Sequence, residues 1–411
     1  MSAPARFAAA PPTAGRATAT APANIALIKY WGARDLDRAL PVNPSLSMTL
    51  SACRTRTTVE FSPEPGDDEV WLAPQELPGN DAMGDETVVI GPGAHAAAVA
   101  AADAIAAGGG AADPDPSREA HRSAWRDPGP AFSARVLAHL DVLRRRAGLA
   151  PGAGRFRVVT VNSFPSSAGI ASSASGFAAL TVAGAAALGL GLDLERDAGE
   201  LSSLARQSGS GSATRSLLGG FVLWPDPAGG DADDPRAVQL HPAGHWRLAD
   251  VIAVVDAGAK EVSSLGGHRL APTSPYFARR LELLPERLDR VRRALAERDF
   301  ARLAAAVEEE AVDLHLVAMS SLPPIFYWSA GTVDVLATVR RLRAEGVPAC
   351  STIDAGANVH VLCPPEAADA VAARLAELPA VQTVLRDRAG DGPVLEESFR
   401  GEALAAGGGG W

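Results

Sequence analysis

The chain has 411 residues, more than one compact hydrophobic core usually holds, so we expect two domains. Hydrophobic residues make up 47% of the sequence and charged residues 21%, a balance that argues against wholesale disorder. The formal net charge is −10 at pH 7 and no basic run offsets it, which argues against a nucleic-acid partner.

The sequence also argues against export and membrane insertion. The N-terminus lacks a basic region followed by a long apolar core, and no apolar run is long enough to span a bilayer. None of the three cysteines belongs to a CxxC pair, so neither a zinc site nor a disulfide framework is predicted. Buried thiols in a reducing cytosol are the expected state, and we predict a cytoplasmic protein without a membrane partner.

The first half of the chain predicts a domain over residues 17–225. Residues 1–16 are rich in alanine and proline and are expected to form a disordered leader. Residues 73–130 are dominated by Gly, Ala, Asp and Pro and are expected to be a low-complexity insertion. Sequence periodicity predicts strands over 17–27, 47–61, 69–72, 87–90, 155–162 and 219–224, and helices over 132–146, 174–190 and 193–207.

The second half predicts another domain, over residues 240–400, followed by a flexible tail over 401–411. The predicted elements are a strand over 250–255, helices over 275–298, 300–319, 332–345 and 367–378, and an antiparallel strand pair over 349–354 and 358–363. Strands and helices interleave without a strict βαβ repeat. We therefore predict an α+β fold rather than a doubly wound sheet.

The most informative segment is a loop of small residues that begins at Ser163 and leads from a strand into a helix. Small side chains let backbone N–H groups approach a ligand closely, and a helix N-terminus favours negative charge. The hydroxyls of Ser172, Ser173 and Ser175 add hydrogen-bond donors and candidate magnesium ligands. The loop indicates a polyphosphate cradle without a Walker motif, and a flexible Ser/Gly linker is the alternative.

A second Ser/Gly loop covers residues 208–212 and is followed by Arg215. It also opens a short helix, so it suits an anion or a carboxylate. Arg215 could bind a carboxylate or phosphate through two parallel hydrogen bonds, and a surface turn with a solvated arginine is the alternative. Two such loops in one chain favour a substrate with two anionic ends.

Asp354 stands at the end of a predicted strand, before a glycine turn. An aspartate there usually caps the turn, but a carboxylate beside a bound hydroxyl could instead orient it or accept its proton. Lys260 could neutralise a phosphate or could be a solvated surface side chain. The sequence contains no spaced histidine cluster, nucleophile elbow or dinucleotide fingerprint.

Four segments resemble, in order, those of diphosphomevalonate decarboxylases, which belong to the galactokinase/homoserine kinase/mevalonate kinase/phosphomevalonate kinase superfamily. They are residues 21–32 (APANIALIKYWG), 166–180 (SSAGIASSASGFAAL), 208–224 (SGSGSATRSLLGGFVLW) and 351–362 (STIDAGANVHVL). The resemblance covers residues 17–398. It implies an N-terminal domain related to ribosomal protein S5 and a ferredoxin-like C-terminal domain, with the active site between them.

The resemblance also implies a reaction. The family uses ATP and Mg²⁺ to phosphorylate the tertiary C3 hydroxyl of mevalonate 5-diphosphate, and loss of phosphate and CO₂ then gives isopentenyl diphosphate. Phosphate is a far better leaving group than hydroxide, and the positive charge that develops at C3 collapses as the carboxylate is lost. A homodimer is a further family-level expectation.

Carried over position by position, the resemblance assigns catalytic roles to Asp354, Arg215 and Asn24. Asp354 matches the aspartate that orients or deprotonates the C3 hydroxyl, Arg215 the arginine that holds the substrate carboxylate, and Asn24 the asparagine that helps position that arginine. The implied substrate-binding residues are Tyr30, Trp31, Ser210, Gly211, Ser212 and Arg135. The implied ATP and magnesium residues are Ser167, Gly169, Ser172, Ser173, Ser175 and Lys260, with Mg²⁺ expected at Ser172 or Ser173.

Two positions depart from the family pattern. Ala33 replaces a lysine that contacts the terminal phosphates of the substrate, and His268 stands where methionine is usual. Losing a buried charge-assisted contact weakens binding by about 1.5–3 kcal/mol, unless Lys29 or Arg34 compensates. Relatives that act on the 5-monophosphate also lack that lysine.

Mevalonate 5-phosphate is therefore an alternative substrate. Two further alternatives are a small-molecule kinase of the same superfamily that does not decarboxylate, and a non-catalytic nucleotide-binding regulator. Arg215 beside the Ser/Gly loop argues against the kinase, because simple kinases of the superfamily need not hold a carboxylate.

Overall fold

The computed structural model describes residues 13–73, 89–90, 125–165, 170–225, 231–258 and 260–401. Its helices are α1 (Pro130–Arg146), α2 (Ser172–Ala187), α3 (Ala198–Arg206), α4 (Ser264–Leu270), α5 (Phe277–Glu297), α6 (Phe300–Met319), α7 (Ala330–Ala344) and α8 (Ala368–Ala376). Its strands are β1 (Gly15–Ile28), β2 (Ala33–Asp35), β3 (Leu40–Pro41), β4 (Ser45–Ser62), β5 (Glu69–Leu72), β6 (Val89–Ile90), β7 (Arg155–Asn162), β8 (Phe221–Trp224), β9 (Val238–His241), β10 (Ala249–Val254), β11 (Cys350–Thr352), β12 (Val359–Cys363), β13 (Thr383–Arg388) and β14 (Val394–Arg400).

The first sheet is built on two long antiparallel strands, β1 and β4, with Gly15 opposite Phe61 at one end and Ile28 opposite Leu46 at the other. Its strand order is β14-β1-β4-β7-β5, and β8 pairs with both β4 and β9. Ala17, Ala19 and Ala21 share a buried core with α2, because small side chains on the strand let a small-residue helix pack closely. This packing positions the N-terminus of α2 near the C-terminal end of β1.

The second sheet has the order β11-β12-β10-β13-β6, with antiparallel pairing throughout. All six residues of β10 are buried, as expected for a central strand with a continuous apolar run. Helices α7 and α8 share a hydrophobic core with this sheet, and Val335, Val339 and Val371 lie in that core.

The sequence failed to predict the last two strands, β13 and β14. Their apolar residues are interrupted by charges, and β14 has the exposed pattern of an edge strand, so neither gives a strong period-two signal. The partner of β14 is far away in sequence, with Arg400 opposite Gly15. The chain therefore returns at its C-terminal end to the sheet that its N-terminal half builds.

Most other predicted elements are confirmed, with ends shifted by a few residues. The strand over 155–162 and the helix over 300–319 have the predicted bounds. The helix predicted over 193–207 begins only at Ala198, because Asp193 accepts hydrogen bonds from the N–H groups of Glu195 and Arg196 and forms a turn.

Several predictions fall wholly or partly outside the described residues: most of the leader 1–16, most of the insertion 73–130, nearly all of the tail 401–411, and the first half of the strand over 87–90. Within the leader, β1 already begins at Gly15, because Gly15 pairs with Phe61 and Arg400. Within the insertion, Val89 and Ile90 pair with β13 of the second sheet.

Cys53, Cys350 and Cys363 are buried, as predicted, and no disulfide joins them. Among the described residues, no helix combines the length and the apolar composition needed to cross a bilayer.

Candidate active site

A cleft of about 540 Å³ gathers residues from elements of both sheets. It lies where β1 ends, where α2 and α4 begin, where β11 turns toward β12, and where a 3-10 helix (Gly211–Leu217) follows the second Ser/Gly loop. Its lining includes the predicted residues Tyr30, Trp31, Arg135, Ser172, Ser173, Ser210, Gly211, Ser212, Arg215, Lys260 and Asp354. The fold therefore brings together side chains that lie more than 300 residues apart in the sequence.

Asp354 is held at the cleft by a lysine from the other sheet. It follows β11 in a tight turn, in which the Gly356 N–H donates to the Asp354 carbonyl at 2.7 Å. The Lys29 Nζ donates to Asp354 Oδ1 at 2.7 Å, and also to the Ala26 carbonyl and Thr352 Oγ1, each at 2.7 Å. This fully satisfied ammonium fixes the direction of the carboxylate.

Lys29 and Asp354 influence each other's protonation. Burial alone would raise the pKa of Asp354, but the charge and hydrogen bond of Lys29 outweigh it and hold that pKa below its usual value. Burial lowers the pKa of Lys29, and Asp354 offsets part of this effect. A carboxylate that is ionised at neutral pH can accept a proton or a hydrogen bond from a bound hydroxyl.

Arg215 is a buried cation that is surrounded by neutral partners. Its Nη1 donates to Ser45 Oγ at 2.6 Å, its Nε to Ser47 Oγ at 3.1 Å, and its Nη2 to Asn24 Oδ1 at 3.4 Å. No carboxylate of the described residues lies within ion-pair distance of it. Burial lowers its pKa to about 10, and the group remains charged at neutral pH. A buried guanidinium without an anion is suited to bind an anionic ligand.

Asn24 connects this arginine to the second Ser/Gly loop. Its Nδ2 donates to Ser216 Oγ at 2.8 Å and to the Ser212 carbonyl at 3.2 Å, while its Oδ1 faces Arg215. The Asn24 side chain therefore donates to the loop and accepts from Arg215, which fixes Arg215 relative to the loop.

An aromatic wall closes one side of the cleft. The ring of His268 lies 4.2 Å from that of Tyr30 and 5.0 Å from that of Trp31, measured between centroids. His268 Nδ1 accepts the Gly32 N–H at 3.0 Å, and burial lowers the pKa of the imidazole to about 3, so it is neutral. Burial raises the pKa of Tyr30 to about 12, which keeps its hydroxyl protonated.

Gly211 allows the second loop to lie against this wall. A Cβ at this position would stand 2.5 Å from Tyr30 Cε1 and 2.9 Å from Trp224 Cη2. Ser210 and Ser212 flank it, and their hydroxyl oxygens are 3.2 Å apart.

The first Ser/Gly loop is described only in part. Ser172 and Ser173 begin α2 and line the cleft, so the helix N-terminus faces it. Ser175 does not line the cleft as predicted, because its hydroxyl is buried one turn further and bonds to Thr55 Oγ1 at 2.6 Å. Ser167 and Gly169 lie outside the described residues.

Arg135 and Lys260 stand at the edge of the cleft. Lys260 is exposed and lies among the lining residues. Arg135 lies over the Phe177 ring, 5.0 Å from its centroid, and also lines a second cavity of about 340 Å³. This second cavity shares Ser172 and Ser173 with the cleft and is otherwise mainly apolar, with Phe132, Val136 and Leu180 among its lining residues.

The departures from the family pattern leave fewer cations at the cleft. Ala33 lies in β2 and carries no charge. Arg34 contacts the Ala232 carbonyl and Asp233, while Lys29 is paired with Asp354. Neither residue is therefore an unpaired substitute for the missing lysine.

Sequence reasoning missed the groups that orient the predicted side chains. The sequence predicts only a phosphate contact for Lys29, although a lysine directly after a buried apolar strand must find internal partners. Ser45 and Ser47 alternate along β4 and so point to the same face, which is the signal that could have identified them as partners of Arg215.

Among the described residues, no group of three or more His, Cys, Asp or Glu side chains could hold a metal by itself. A divalent cation here would need ligands from another source, such as phosphate oxygens and the hydroxyls of Ser172 or Ser173.

Two family models together match most of the chain. The Diphosphomevalonate decarboxylase-like N-terminal domain matches residues 21–89 and 126–234. The Mevalonate 5-diphosphate decarboxylase C-terminal domain matches residues 250–399.

Relatives are similar over nearly the whole chain. Identity to the diphosphomevalonate decarboxylase of Candida albicans is 33% over 355 residues, covering 84% of this chain and 83% of the relative. Identity to diphosphomevalonate decarboxylase mvd1 of Aspergillus fumigatus is 35% over 359 residues, covering 85% and 77%.

Solved structures show the same similarity. A mevalonate diphosphate decarboxylase from Enterococcus faecalis aligns with a TM-score of 0.72 and 30% identity, covering 93% of this chain and 99% of that chain. A structure described as MDDEF in complex with MVAPP, AMPPCP and magnesium aligns with a TM-score of 0.74 and 32% identity, covering the same shares.

Proposed function

The chain belongs to the diphosphomevalonate decarboxylase family, and from this premise we propose how its own residues perform the family reaction. The enzyme catalyses the ATP-dependent decarboxylation of mevalonate 5-diphosphate to isopentenyl diphosphate, with release of ADP, phosphate and CO₂. The observation that carries the proposal is the pairing of two unlike groups in one cleft: the ionised Asp354 and the buried Arg215, which has no carboxylate partner among the described residues.

We assign the substrate's carboxylate to Arg215. Ser45, Ser47 and Asn24 hold the guanidinium through neutral oxygens, and Asp354 attracts it without forming an ion pair, so a bound carboxylate supplies the anion in direct contact. Asn24 also bonds to the loop that carries Ser212, and this keeps the carboxylate site next to the loop. The contact with Arg215 holds the substrate carboxylate in place until CO₂ leaves.

We assign the C3 hydroxyl to Asp354. The carboxylate accepts the proton of that hydroxyl, and the adjacent Lys29 ammonium keeps Asp354 ionised beforehand. Tyr30, Trp31 and His268 form an apolar wall that limits access of water to the reacting carbon.

We place the nucleotide phosphates at the N-terminus of α2, near Ser172, Ser173, Lys260 and Arg135. Backbone N–H groups at a helix N-terminus and flanking cations fit a polyphosphate, and the neighbouring apolar cavity of about 340 Å³ fits its base. Ser167 and Gly169 stay predictions. Bound ATP supplies the phosphoryl group, and Mg²⁺ reduces the charge of its phosphates.

The two sheets support the predicted domain division. We propose that the first sheet with α1–α3 is the S5-like domain, 17–225, and that the second sheet with α5–α8 is the ferredoxin-like domain, 240–400. In this division β14 belongs to the C-terminal domain by its position in the sequence, but it pairs with β1 in the first sheet.

Mevalonate 5-phosphate is a second candidate substrate, and Ala33 is the observation that favours it. The usual lysine is absent, Arg34 contacts Asp233, and Lys29 contacts Asp354. Fewer cations then face the second phosphate of a diphosphate.

The decisive assay supplies ATP and Mg²⁺ with each mevalonate phosphate separately and measures CO₂ and ADP. We expect equal amounts of CO₂ and ADP from mevalonate 5-diphosphate, and a lower kcat/KM for the monophosphate. CO₂ from the monophosphate alone would reverse the assignment of the substrate. ADP without CO₂ from either compound would indicate a kinase.

We also propose a homodimer in the cytoplasm. Val312 and Leu316 lie one turn apart on the exposed side of α6, and Leu322 and Phe326 are also exposed just beyond its end. Exposed apolar side chains of this kind are typical of subunit contacts. Light scattering measures the mass in solution directly.

A further inference from the structure

Lys29 lies one residue beyond the last residue of β1, where strand pairing no longer holds the backbone. Ile28 still pairs with Leu46 of β4. The Lys29 N–H instead donates to Glu310 Oε1 at 3.1 Å, and its carbonyl accepts from Arg280 Nη2 and Asn43 Nδ2, each at 2.9 Å. Side chains therefore fix both backbone groups of the residue whose ammonium contacts Asp354.

Glu310 is the centre of a buried ionic network between α5 and α6. It is fully buried, its Oε1 accepts from Arg280 Nη2 at 2.5 Å, and its Oε2 accepts from Arg287 Nη1 at 2.6 Å. Arg287 also bonds to Asp313 at 2.6 Å. Glu310 and Asp313 thus offset the charges of Arg280 and Arg287, and Glu309 lies 3.7 Å from Arg287 Nε, so the buried charges are paired.

The two arginines differ in one respect. Arg280 contacts both Glu310 and the Lys29 carbonyl. Arg287 instead contacts acids of α6, which are Glu310, Glu309 and Asp313. Both side chains are nearly fully buried. They therefore form a natural matched pair, in which only one member reaches the catalytic lysine.

We propose that Arg280 and Glu310 are positioning residues, which hold the backbone of Lys29 so that its ammonium orients Asp354 for the reaction. The inference rests on the proposed function, because it gives Asp354 the task of accepting the C3 hydroxyl proton. A small displacement of Lys29 turns the carboxylate away from the hydroxyl, and errors of this size in catalytic geometry reduce rates strongly. The network thus links buried charges of α5 and α6 to the catalytic carboxylate.

The test compares Arg280→Met with Arg287→Met in the full-length enzyme, using mevalonate 5-diphosphate, ATP and Mg²⁺. Each change removes one buried guanidinium from Glu310, so we expect similar losses in Tm. We expect kcat to fall about 10- to 100-fold in Arg280→Met, with KM for the mevalonate compound within about threefold of wild type. In Arg287→Met we expect kcat to stay within about threefold of wild type.

Arg280→Lys keeps the buried charge, so it can be assayed even if the methionine variant does not fold. A single ammonium can donate to the Lys29 carbonyl or to Glu310, so we expect part of the lost kcat to return. Equal kcat losses in the two methionine variants, or wild-type kcat in Arg280→Met, would overturn the proposal. If Arg280→Met does not fold, wild-type kcat in Arg280→Lys would overturn it instead. A wild-type enzyme that releases no CO₂ from either mevalonate phosphate would instead overturn the proposed function, and the inference with it.

Discussion

Asp354 and Lys29 show how one residue determines the charge of another. Desolvation and attraction oppose each other at this pair, and the low pKa of Asp354 means that attraction dominates. The cost of burying Lys29 is partly offset by three hydrogen bonds, to Ala26, Thr352 and Asp354.

Replacing Lys29 with methionine should move the acid limb of the kcat/KM profile to higher pH. With Lys29 removed, burial raises the pKa of Asp354, and Arg215 and His360 are among the groups that still lower it. We expect the limb to move to higher pH, measured as CO₂ release against pH. Lys260→Met is the comparison, because Lys260 acts on Asp354 through its charge without the hydrogen bond that Lys29 donates, and it should therefore shift the limb less. An unchanged limb in Lys29→Met would contradict the assigned role of the pair.

The elements at the cleft depend on close contact between a loop and an aromatic wall. The 3-10 helix after Ser210 carries Arg215, and the segment that follows β1 carries Tyr30. The spacing between this segment and the 3-10 helix therefore sets the width of the substrate site. Only a residue without a side chain fits between them at position 211.

Gly211→Ala should therefore lower both stability and substrate affinity. The new Cβ would overlap Tyr30 and Trp224, and overpacking of this kind costs about 1–3 kcal/mol. We expect a lower Tm and a raised KM for the mevalonate compound, from thermal unfolding and steady-state kinetics. Gly244→Ala is the control, because its Cβ would meet no atom within 4 Å and should change neither quantity. Wild-type KM in Gly211→Ala would show that the loop can move without loss of binding.

At the scale of the molecule, one buried acid connects the two sheets. Asp387 of β13 accepts the N–H groups of Ser51, Ala52 and Cys53 from β4, at 2.7, 2.9 and 2.8 Å. These donors lie where the register of β4 shifts against β1, so the ladder does not satisfy all of them. The contact fixes the second sheet, which carries Asp354, against the first sheet, which carries Lys29.

Asp387→Ala should lower the free energy of unfolding by about 3 kcal/mol or more, because it leaves backbone donors unsatisfied at the contact between the sheets. Denaturant unfolding measures the loss. Asp387→Asn keeps the oxygen that accepts two of these N–H groups and should lose less. Equal stability of Asp387→Ala and the wild-type chain would mean that this contact contributes little.

Much of the fold could be predicted from the sequence because its signals are local. Alternation predicted β4, helical periodicity predicted α1 and α6, and the small residues between Ser163 and α2 predicted a helix N-terminus that faces a ligand. The resemblance in four ordered segments predicted the family, and the family models confirm it. Local signals failed at β13 and β14, whose partners lie far away in sequence.

Composition and periodicity by themselves predicted the α+β character, and the resemblance of four ordered segments implied the candidate site residues and the reaction class, because each of these signals depends on residue type and near neighbours. Only the tertiary structure decided that Lys29 pairs with Asp354, that Ser45 and Ser47 hold Arg215, and that Ser175 turns inward to Thr55. These outcomes depend on which buried polar groups meet across two sheets. Burial requires every such group to find a partner, but the chain reveals which partner only when it is folded.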